Sequence, residues 1–258
     1  MRRHRLFGRF ADKKREFVGE VRGNEVLELN GSSMMSVIEE AADPTGKSYD
    51  LDILTVRAPV DRPSKIICIG LNYRSHIKEM KWETPIKPII FSKPPSAIVG
   101  PRDMIVIPKA SNRVDFEGES AIVIGRRAHR VSDGSKYIFG YTCFNDVTAR
   151  DLQKTDVDWT RAKGFDTFAP VGPFISTKPP TRVSTRLNGK TVQSSLLSDR
   201  VFGDAALVEY ISGIMTLEPG DMIATGTPSG IAPLNAGDII EVELDTVGTL
   251  TNHVIQSP

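Results

Sequence analysis

The chain has almost no net charge, no long hydrophobic run and few cysteines, and these absences narrow its function class. Its 258 residues include 33 Lys and Arg against 32 Asp and Glu, a formal net charge of +1. So small a net charge does not predict binding to nucleic acid or to an anionic membrane. No apolar run approaches the roughly 20 residues that a membrane-spanning helix needs. We expect a soluble globular protein of one large domain or two unequal ones.

Cysteine content and the N-terminal sequence predict the cellular compartment. Cys68 and Cys143 lie in apolar, strand-like segments without metal-ligand spacing, which predicts buried thiols in a reducing compartment. Residues 1–15 are rich in Arg but poor in Ser and run into a strand pattern, which favours a basic edge strand over a mitochondrial transit peptide. The sequence shows no secretory hydrophobic segment. The expected location is therefore the cytoplasm.

The pattern of apolar residues changes at about residue 60. Residues 1–60 predict a small N-terminal β module, and residues 61–258 predict a larger domain of many short strands. The elements predicted with defined bounds are strands 16–20 and 25–29 around a turn at Gly23-Asn24, a helix over 36–42, a strand at 65–70, and helices over 149–154 and 204–215. Strands and helices do not alternate regularly, so a doubly wound parallel sheet is not expected. The predicted class is α+β and rich in β-structure.

Three acids alternate in the segment VDFEGESAIVIG, just before a wholly apolar strand. They are Asp115, Glu117 and Glu119, and the period of two in a strand predicts that all three face the same side. Neighbouring carboxylates that become buried need a proton or a cation. A divalent ion such as Mg²⁺ or Mn²⁺ would satisfy them and keep positions free for a substrate. The alternative is a solvated strand face with Lys109 and Arg113 as counter-ions.

A second acidic segment, FNDVTARDLQ, follows the apolar run 138–144. It places Asp146 at the end of a strand and the start of a helix, where a carboxylate can bind a metal. Arg150 and Gln153 lie three residues apart and share one face of that helix. Asp146 is equally suited to cap the helix, and this segment alone does not separate the two interpretations.

Two further segments offer polar groups in unusual surroundings. Lys163 lies among aromatic, Gly and Pro residues in WTRAKGFDTFAPVGP, where a lysine near a metal would polarise a substrate oxygen. A lone lysine in a loop more often faces solvent. The segment ATGTPSG, at 224–230, offers backbone N–H groups and the hydroxyl of Thr227, which can hold a carboxylate. It lacks the phosphate-loop pattern, and the alternative is a tight turn.

A histidine and a glutamate lie three residues apart in GLNYRSHIKEM. His76 and Glu79 share one face of a predicted short helix. In such a pair the carboxylate orients the imidazole, and the imidazole takes a proton from water. The spacing is common by chance, so it is weak evidence on its own.

Seven segments, in this order, resemble the fumarylacetoacetate hydrolase family, and the resemblance covers roughly residues 60–254. They are GLNYRSHIKEM, FSKPPSAIVGP, VDFEGESAIVIG, GYTCFNDVTARDLQ, WTRAKGFDTFAPVGP, LSDRVFGDAALVEYIS and TLEPGDMIATGTPSG. The resemblance implies a β-rich α+β fold, a roll of mixed sheets of the family's C-terminal type. Residues 1–60 are similar to the small N-terminal module of many family members. We expect residues 73–88 to form a lid over the cleft.

The resemblance also implies roles for individual residues. It implies that Mg²⁺ or Mn²⁺ is bound by Glu117, Glu119 and Asp146. Residues implied to contact or enclose the substrate are Lys163 beside the metal, together with Arg150, Gln153 and Thr227. In members that cleave acylpyruvates, a His and a Glu on a lid helix activate water, and His76 and Glu79 match that pair.

The implied function is a metal-dependent enzyme of 2-oxo and 2-enol carboxylates. The favoured reaction is hydrolytic C–C cleavage of an acylpyruvate-like β-diketo acid through a pyruvate enolate held by the metal and Lys163. Two alternatives stay open: isomerisation or decarboxylation of the 2-hydroxyhepta-2,4-dienedioate type in aromatic catabolism, and oxaloacetate decarboxylation or tautomerisation. A non-catalytic binding protein on the same fold is the alternative from another class. The expected partners are a small 2-oxo carboxylate and a second copy of the chain in a homodimer, without nucleic acid or membrane.

Overall fold

The computed structural model describes residues 4–31, 33–40 and 42–258, and β-strands form most of its regular structure. The strands are β1 Leu6–Ala11, β2 Glu16–Arg22, β3 Glu25–Leu29, β4 Pro44–Asp50, β5 Thr55–Arg57, β6 Ile66–Gly70, β7 Ile89–Lys93, β8 Ile98–Val99, β9 Met104–Ile107, β10 Val114–Asp115, β11 Gly118–Ile124, β12 Ile138–Asn145, β13 Thr148–Ala149, β14 Ala169–Ser176, β15 Arg182–Leu187, β16 Lys190–Leu196, β17 Met222–Ala224, β18 Ile239–Leu244 and β19 Gly248–Gln256. The α-helices are α1 Met34–Glu40, α2 Arg74–Met80, α3 Arg150–Thr155, α4 Thr160–Lys163 and α5 Asp204–Ser212.

A large mixed sheet forms the framework of the molecule. Its strand order is β4-β3-β2-β1-β14-β12-β11-β17-β6-β7, with β5 beside β1 and β8 beside β14. Most neighbours are antiparallel, but β17 pairs with β6 in parallel. All seven residues of β11 are buried, because both faces of this central strand are covered. The β-rich α+β class with mixed sheets is confirmed.

A second sheet of five strands packs against the first. Its order is β16-β15-β18-β19-β9, and a short ladder of β10 with β13 lies apart from both sheets. Cys143 of β12 packs with Val183, Val242 and Leu250 of the five-stranded sheet, so apolar side chains from both sheets fill the space between them. Cys143 and Cys68 are both buried free thiols, as predicted. Burial raises the pKa of Cys143 to about 12.

The N-terminal strands differ from their prediction in one respect. The hairpin of β2 and β3 forms around Gly23, which adopts φ 62°. However, β1 lies between β2 and β14 and is an interior strand, so the prediction of a basic edge strand is wrong. Because β1 pairs with β14, the sheet runs through both predicted parts of the chain. The boundary at residue 60 stays a prediction.

The predicted helices are present, with shifted ends. α1 begins two residues before the predicted range, and position 41, within that range, lies outside the described residues, as do residues 1–3 at the start of the chain. α5 ends at Ser212 rather than at residue 215, because Gly213 follows it and glycine disfavours continuation of a helix. Among the described residues, no helix combines the length and apolarity needed to cross a membrane.

Candidate active site

Three carboxylates converge where β11 begins and β12 ends. Glu117 and Glu119 come from the β11 side, and the antiparallel pairing of Gly118 with Asn145 brings Asp146 beside them. One oxygen from each carboxylate lies within 4.8 Å of the others, and all three residues are buried. The solvated-face interpretation is therefore wrong. The helix-cap interpretation of Asp146 is also wrong, because α3 begins at Arg150, with Ala149 as its N-cap residue.

The third acid of the alternating segment does not join this cluster. The strand is interrupted between β10 and β11, so the period of two predicted for the segment breaks there. Asp115 instead accepts hydrogen bonds from Arg113 Nε at 2.9 Å and Arg150 Nε at 3.0 Å. The prediction that Asp115 shares one face with Glu117 and Glu119 therefore fails, because a strand pattern is valid only while the strand continues.

The electrostatics of the cluster fit a divalent cation. Burial, together with the charges of Asp146 and Glu117, raises the pKa of Glu119 well above its ordinary value. Glu119 accepts a hydrogen bond from Gly226 N at 2.7 Å but has no ion-pair partner among the described residues. Burial alone would also raise the pKa of Glu117, but Lys163 and Arg150 hold it below its ordinary value. The three carboxylates offer oxygen ligands, and Glu119 is left without a positive partner. Such a site suits Mg²⁺ or Mn²⁺.

Two buried lysines bind Asp146, one at each carboxylate oxygen. Lys163 Nζ donates to Asp146 Oδ2 at 2.6 Å and to Glu117 Oε2 at 2.9 Å. Lys93 Nζ donates to Asp146 Oδ1 at 2.6 Å and to the carbonyl of Val147 at 3.0 Å. Lys163 is the last residue of α4 and only 2% exposed, so it is not a solvent-facing loop lysine. Although burial lowers the pKa of Lys163, Asp146 and Glu117 raise it above its ordinary value.

The remaining predicted substrate residues lie around this cluster. Arg150 donates to Glu117 at 2.5 Å and to Gln153 Oε1 at 2.7 Å, so the predicted pairing across one helix face is observed. Thr227 Oγ1 donates to the carbonyl of Gly118 at 3.0 Å. It accepts from Gln193 Nε2 at 2.9 Å. The T-G-T-P segment is thereby fixed to the start of β11.

Sequence reasoning did not identify Gln193 or Lys93. Gln193 comes from β16 of the second sheet, and its Oε1 accepts from Gly118 N at 3.1 Å. No motif near Gln193 in the sequence indicates this contact. Lys93 is the last residue of the apolar strand IIFSK. A lysine in that position was the one feature of the sequence that could have indicated a buried, paired lysine.

The His–Glu pair is assembled on α2. His76 Nδ1 lies 2.9 Å from Glu79 Oε2, and Glu79 Oε1 accepts from Gly230 N at 3.0 Å. Because a carboxylate can only accept, Nδ1 carries the proton in this contact and Nε2 of a neutral ring is the basic nitrogen. Ser75, also on α2, bonds to Asp199 at 2.7 Å. The expected lid helix is therefore docked against the rest of the domain.

These side chains line one cavity of about 400 Å³. Eight of the nine predicted site residues line it, and the ninth, Glu79, contacts it through His76. The cavity's lining comprises the predicted residues His76, Glu117, Glu119, Asp146, Arg150, Gln153, Lys163 and Thr227, with Ile69, Gly70, Leu71, Met80, Trp82, Phe91, Lys154 and Trp159. The roles given to them stay predictions.

Comparisons with known proteins identify relatives of this chain. The family model described as "Fumarylacetoacetate (FAA) hydrolase C-terminal" matches residues 65–255. A protein of Archaeoglobus fulgidus is 48% identical over 214 residues, 81% of this chain and 86% of its own length. The mitochondrial oxaloacetate tautomerase Fahd2a of Rattus norvegicus is 41% identical over 241 residues, 87% of this chain and 77% of its own.

Solved structures show the same fold over nearly the whole chain. The crystal structure of 2-hydroxyhepta-2,4-diene-1,7-dioate isomerase from Mycobacterium marinum superposes with a TM-score of 0.88 and 40% identity, covering 99% of both chains. The chain therefore belongs to the fumarylacetoacetate hydrolase family, whose members are enzymes.

Proposed function

We propose that this chain is a divalent-metal-dependent enzyme that acts on 2-oxo and 2-enol carboxylates. The observation that carries the proposal is the buried cluster of three carboxylates whose ligand atoms lie within 4.8 Å. Cations contact Glu117 and Asp146, but no lysine or arginine among the described residues forms an ion pair with Glu119. A divalent cation bound there would make the site more positive, which favours an anionic substrate.

Mg²⁺ or Mn²⁺, held by Glu117, Glu119 and Asp146, would supply Lewis-acid polarisation of the 2-oxo group. Arg150 occupies Gln153 Oε1, so the Nε2 donors of Gln153 stay available for a substrate carboxylate. Lys163 places an ammonium group beside the same cluster, where charge develops on an enolate oxygen. These residues bind and orient the 2-oxo carboxylate end of the substrate.

Within this class, the His76–Glu79 pair favours hydrolytic C–C cleavage of an acylpyruvate-like β-diketo acid. Nε2 of His76 takes a proton from water while the water oxygen adds to the distal carbonyl carbon. The C–C bond then breaks, and its electron pair passes to a pyruvate enolate beside Lys163. The proton returned to the enolate carbon gives pyruvate, and the other product is a carboxylic acid. The 2.9 Å contact with Glu79 fixes the proton on Nδ1, which leaves Nε2 as the proton acceptor that this step needs.

A second candidate is proton transfer without cleavage, and the comparisons favour it. The rat relative is named an oxaloacetate tautomerase and the M. marinum structure an isomerase. In that reaction a proton moves between the carbon and oxygen ends of the same enolate, no water is consumed, and the water-activating role of the His76–Glu79 pair is not needed. Decarboxylation of oxaloacetate would lead to the same pyruvate enolate.

The test uses protein treated with a chelator, with and without added Mg²⁺ or Mn²⁺. Acetylpyruvate and oxaloacetate are incubated in parallel, and the products are followed by NMR. Acetate and pyruvate that form only with metal would support the hydrolase. Metal-dependent tautomerisation or decarboxylation of oxaloacetate, with acetylpyruvate unchanged, would replace it by the second candidate. Turnover of both substrates without any metal would contradict the metal dependence.

Assembly and location complete the proposal. We propose a homodimer in the cytoplasm, on the basis of the family resemblance and of the two buried free thiols. Sedimentation as a monomer at working concentration would contradict the dimer.

A further inference from the structure

The start of the segment LSDRVFGDAALVEYIS, residues 197–204, has no part in the proposed chemistry. The structure describes all of 197–204, and none of these residues lines the cavity. They lie instead against the start of α2, the helix that carries the His–Glu pair. Val201 N donates to the carbonyl of Asn72 at 2.7 Å, and Phe202 N donates to Asn72 Oδ1 at 2.8 Å. This segment therefore contacts the lid rather than the substrate cavity.

α2 is a short helix without a side-chain cap of its own. It has seven residues, and a helix of that length is only marginally stable in isolation. Its first N–H groups have no partner within the helix. Among the described residues, Tyr73 holds the N-cap position but makes no side-chain hydrogen bond to the first turn. The orientation of α2 therefore depends on groups that other parts of the chain supply.

Asp199 supplies the missing cap from 124 positions away in the sequence. Its Oδ2 accepts from Ser75 N at 3.1 Å and from Ser75 Oγ at 2.7 Å. A side-chain oxygen on an N–H group of the first turn is the contact that an N-cap residue normally makes. Arg74 Nη1 also donates to the backbone carbonyls of Asp199 at 3.0 Å and Arg200 at 2.9 Å. Side chain and backbone of the 199–200 segment together fix the start of α2.

A second contact fixes the far end of the same helix. Glu79 Oε1 accepts from Gly230 N at 3.0 Å. Gly230 adopts φ 101°, and a Cβ atom there would lie 2.2 Å from the carbonyl oxygen of Val192, so only glycine fits this position. The helix is thus held at both ends by residues outside the lid.

His76 lies between these two contacts, directly after Ser75. It is buried and lines the cavity, whereas Asp199 does not. Within the described part of the chain, Asp199 forms no hydrogen bond or ion pair with the carboxylate cluster. A general base works only within hydrogen-bonding distance of the proton that it takes, so a small tilt of α2 would misplace the imidazole.

We propose that Asp199 is a positioning residue for the His76–Glu79 pair. It holds the first turn of α2 so that Nε2 of His76 stays directed into the cavity. The inference rests on the proposed function, because it assumes that this pair activates water for C–C cleavage. Loss of the Asp199 carboxylate would loosen the pair and leave the metal ligands in place.

Three variants test the role of the carboxylate. Asp199→Ala removes the acceptor, whereas Asp199→Asn keeps an oxygen that caps a helix equally well. Ser198→Ala is the matched control, because Ser198 is exposed and has no side-chain hydrogen bond among the described residues. With Mg²⁺ bound, we expect Asp199→Ala to lower kcat for acetylpyruvate hydrolysis about 20-fold and to change KM less than about twofold. Keto–enol exchange of oxaloacetate should stay unchanged, and Asp199→Asn and Ser198→Ala should behave like the parent.

Amide hydrogen exchange gives a readout that does not depend on turnover. The amides of residues 77–80 should exchange about tenfold faster in Asp199→Ala than in the parent, with Mg²⁺ affinity unchanged by calorimetry. Faster exchange with hydrolysis at the parent rate would overturn the proposal, since the cap would then matter only for the helix. Equal loss of hydrolysis in the Ala and Asn variants would overturn it, as would a parallel loss of keto–enol exchange.

Failure of the proposed reaction is distinguishable from failure of this inference. If the parent does not cleave acetylpyruvate, the hydrolase proposal is rejected, and the ¹⁵N spectrum of the His76 ring decides the role of Asp199. A protected Nδ1–H signal in the parent and in Asp199→Asn that is lost in Asp199→Ala would support positioning. The same signal in all three proteins would overturn it.

Discussion

At the inner end of the cavity, ion pairs join side chains at the ends of large-sheet strands to side chains of α3 and α4. The mouth, in contrast, is built from the aromatic faces of Trp82 and Trp159 and from Lys154, which forms no ion pair with the described residues. Lys93, Asp146, Lys163, Glu117 and Arg150 form a continuous chain of contacts between 2.5 and 2.9 Å. Each charge there is positioned by a neighbour of opposite sign. Trp82 at the mouth is held only through the backbone of its segment and by its packing. The inner end therefore fixes one chemistry, while the mouth can be altered without disturbing it.

The largest effects should come from substitution of the proposed metal ligands. Asp146 and Glu119 should differ in what their substitution does to the stability of the metal-free protein. Asp146→Asn removes a charge that binds two buried lysines, so we expect Mg²⁺ affinity to fall at least about 100-fold and stability to fall by about 3 kcal/mol. Glu119→Gln should weaken Mg²⁺ binding as strongly. Because Glu119 pairs with no cation and lies beside two other carboxylates, its metal-free form should be at least as stable as the parent.

Calorimetry with Mg²⁺ and thermal unfolding with and without a chelator measure both quantities. The parent should be stabilised by Mg²⁺ through linkage, and neither variant should be. Equal destabilisation of the two metal-free variants would contradict the distinction between the two carboxylates.

The two lysines on Asp146 allow a second comparison at the inner end. Lys163 lines the cavity, but Lys93 lies behind Asp146 and does not. We expect Lys163→Met to reduce kcat about 100-fold, because it removes a donor beside the developing enolate. Lys93→Met should chiefly destabilise the fold, by about 3 kcal/mol, since it leaves one side of Asp146 unpaired. Initial rates at saturating substrate, together with urea unfolding, separate these effects, and a reversed pattern would refute the assignment.

The His76–Glu79 pair lies between the two regions, on the lid but facing the inner end. Glu79→Gln keeps a hydrogen bond to Gly230 possible but removes the charge that stabilises protonated His76. Hydrolysis of acetylpyruvate should fall about 100-fold, while keto–enol exchange of oxaloacetate stays largely intact. Parallel NMR assays measure both rates, with His129→Gln as a control at an exposed histidine outside the cavity. Equal loss, or equal retention, of the two activities would remove the water-activating role from the pair.

The sequence predicted those parts of the site whose contacts lie within one helix or one strand, and it missed those that depend on distant segments. The spacing of His76 and Glu79 within one helix and the neighbouring positions of Glu117 and Glu119 at the start of one strand were readable from the sequence, since both sets of contacts depend on nearby backbone. The same period of two failed at Asp115, because nothing local indicated that the strand would be interrupted. Gln193 was missed for a different reason. It reaches Gly118 across 75 positions and from another sheet.

Burial was the property that the sequence predicted least well. Lys163 and Lys93 each occur in segments where a solvated lysine is as compatible with the local pattern as a buried one. The carboxylates that pair with them, Glu117 and Asp146, come from other elements, so their burial follows only once the tertiary pairing of β11 with β12 is known. The family resemblance implied a place beside the metal for Lys163 because its segment matches a family motif, whereas the residue pattern alone favoured solvent.

The smallest predicted effect concerns the wall of the mouth. In Gly70→Ala the new methyl group would lie 3.0 Å from the Trp159 ring, so the indole must shift by a few tenths of an ångström. We expect about threefold weaker binding of acetylpyruvate and a displaced tryptophan emission maximum, with Mg²⁺ affinity unchanged because the ion pairs of Glu117 and Asp146 do not involve Trp159. Gly203→Ala is the matched control, since a Cβ atom there meets nothing within 4 Å. A change in Mg²⁺ affinity in Gly70→Ala, absent from the control, would show that the mouth and the inner end are mechanically coupled, contrary to the separation argued above.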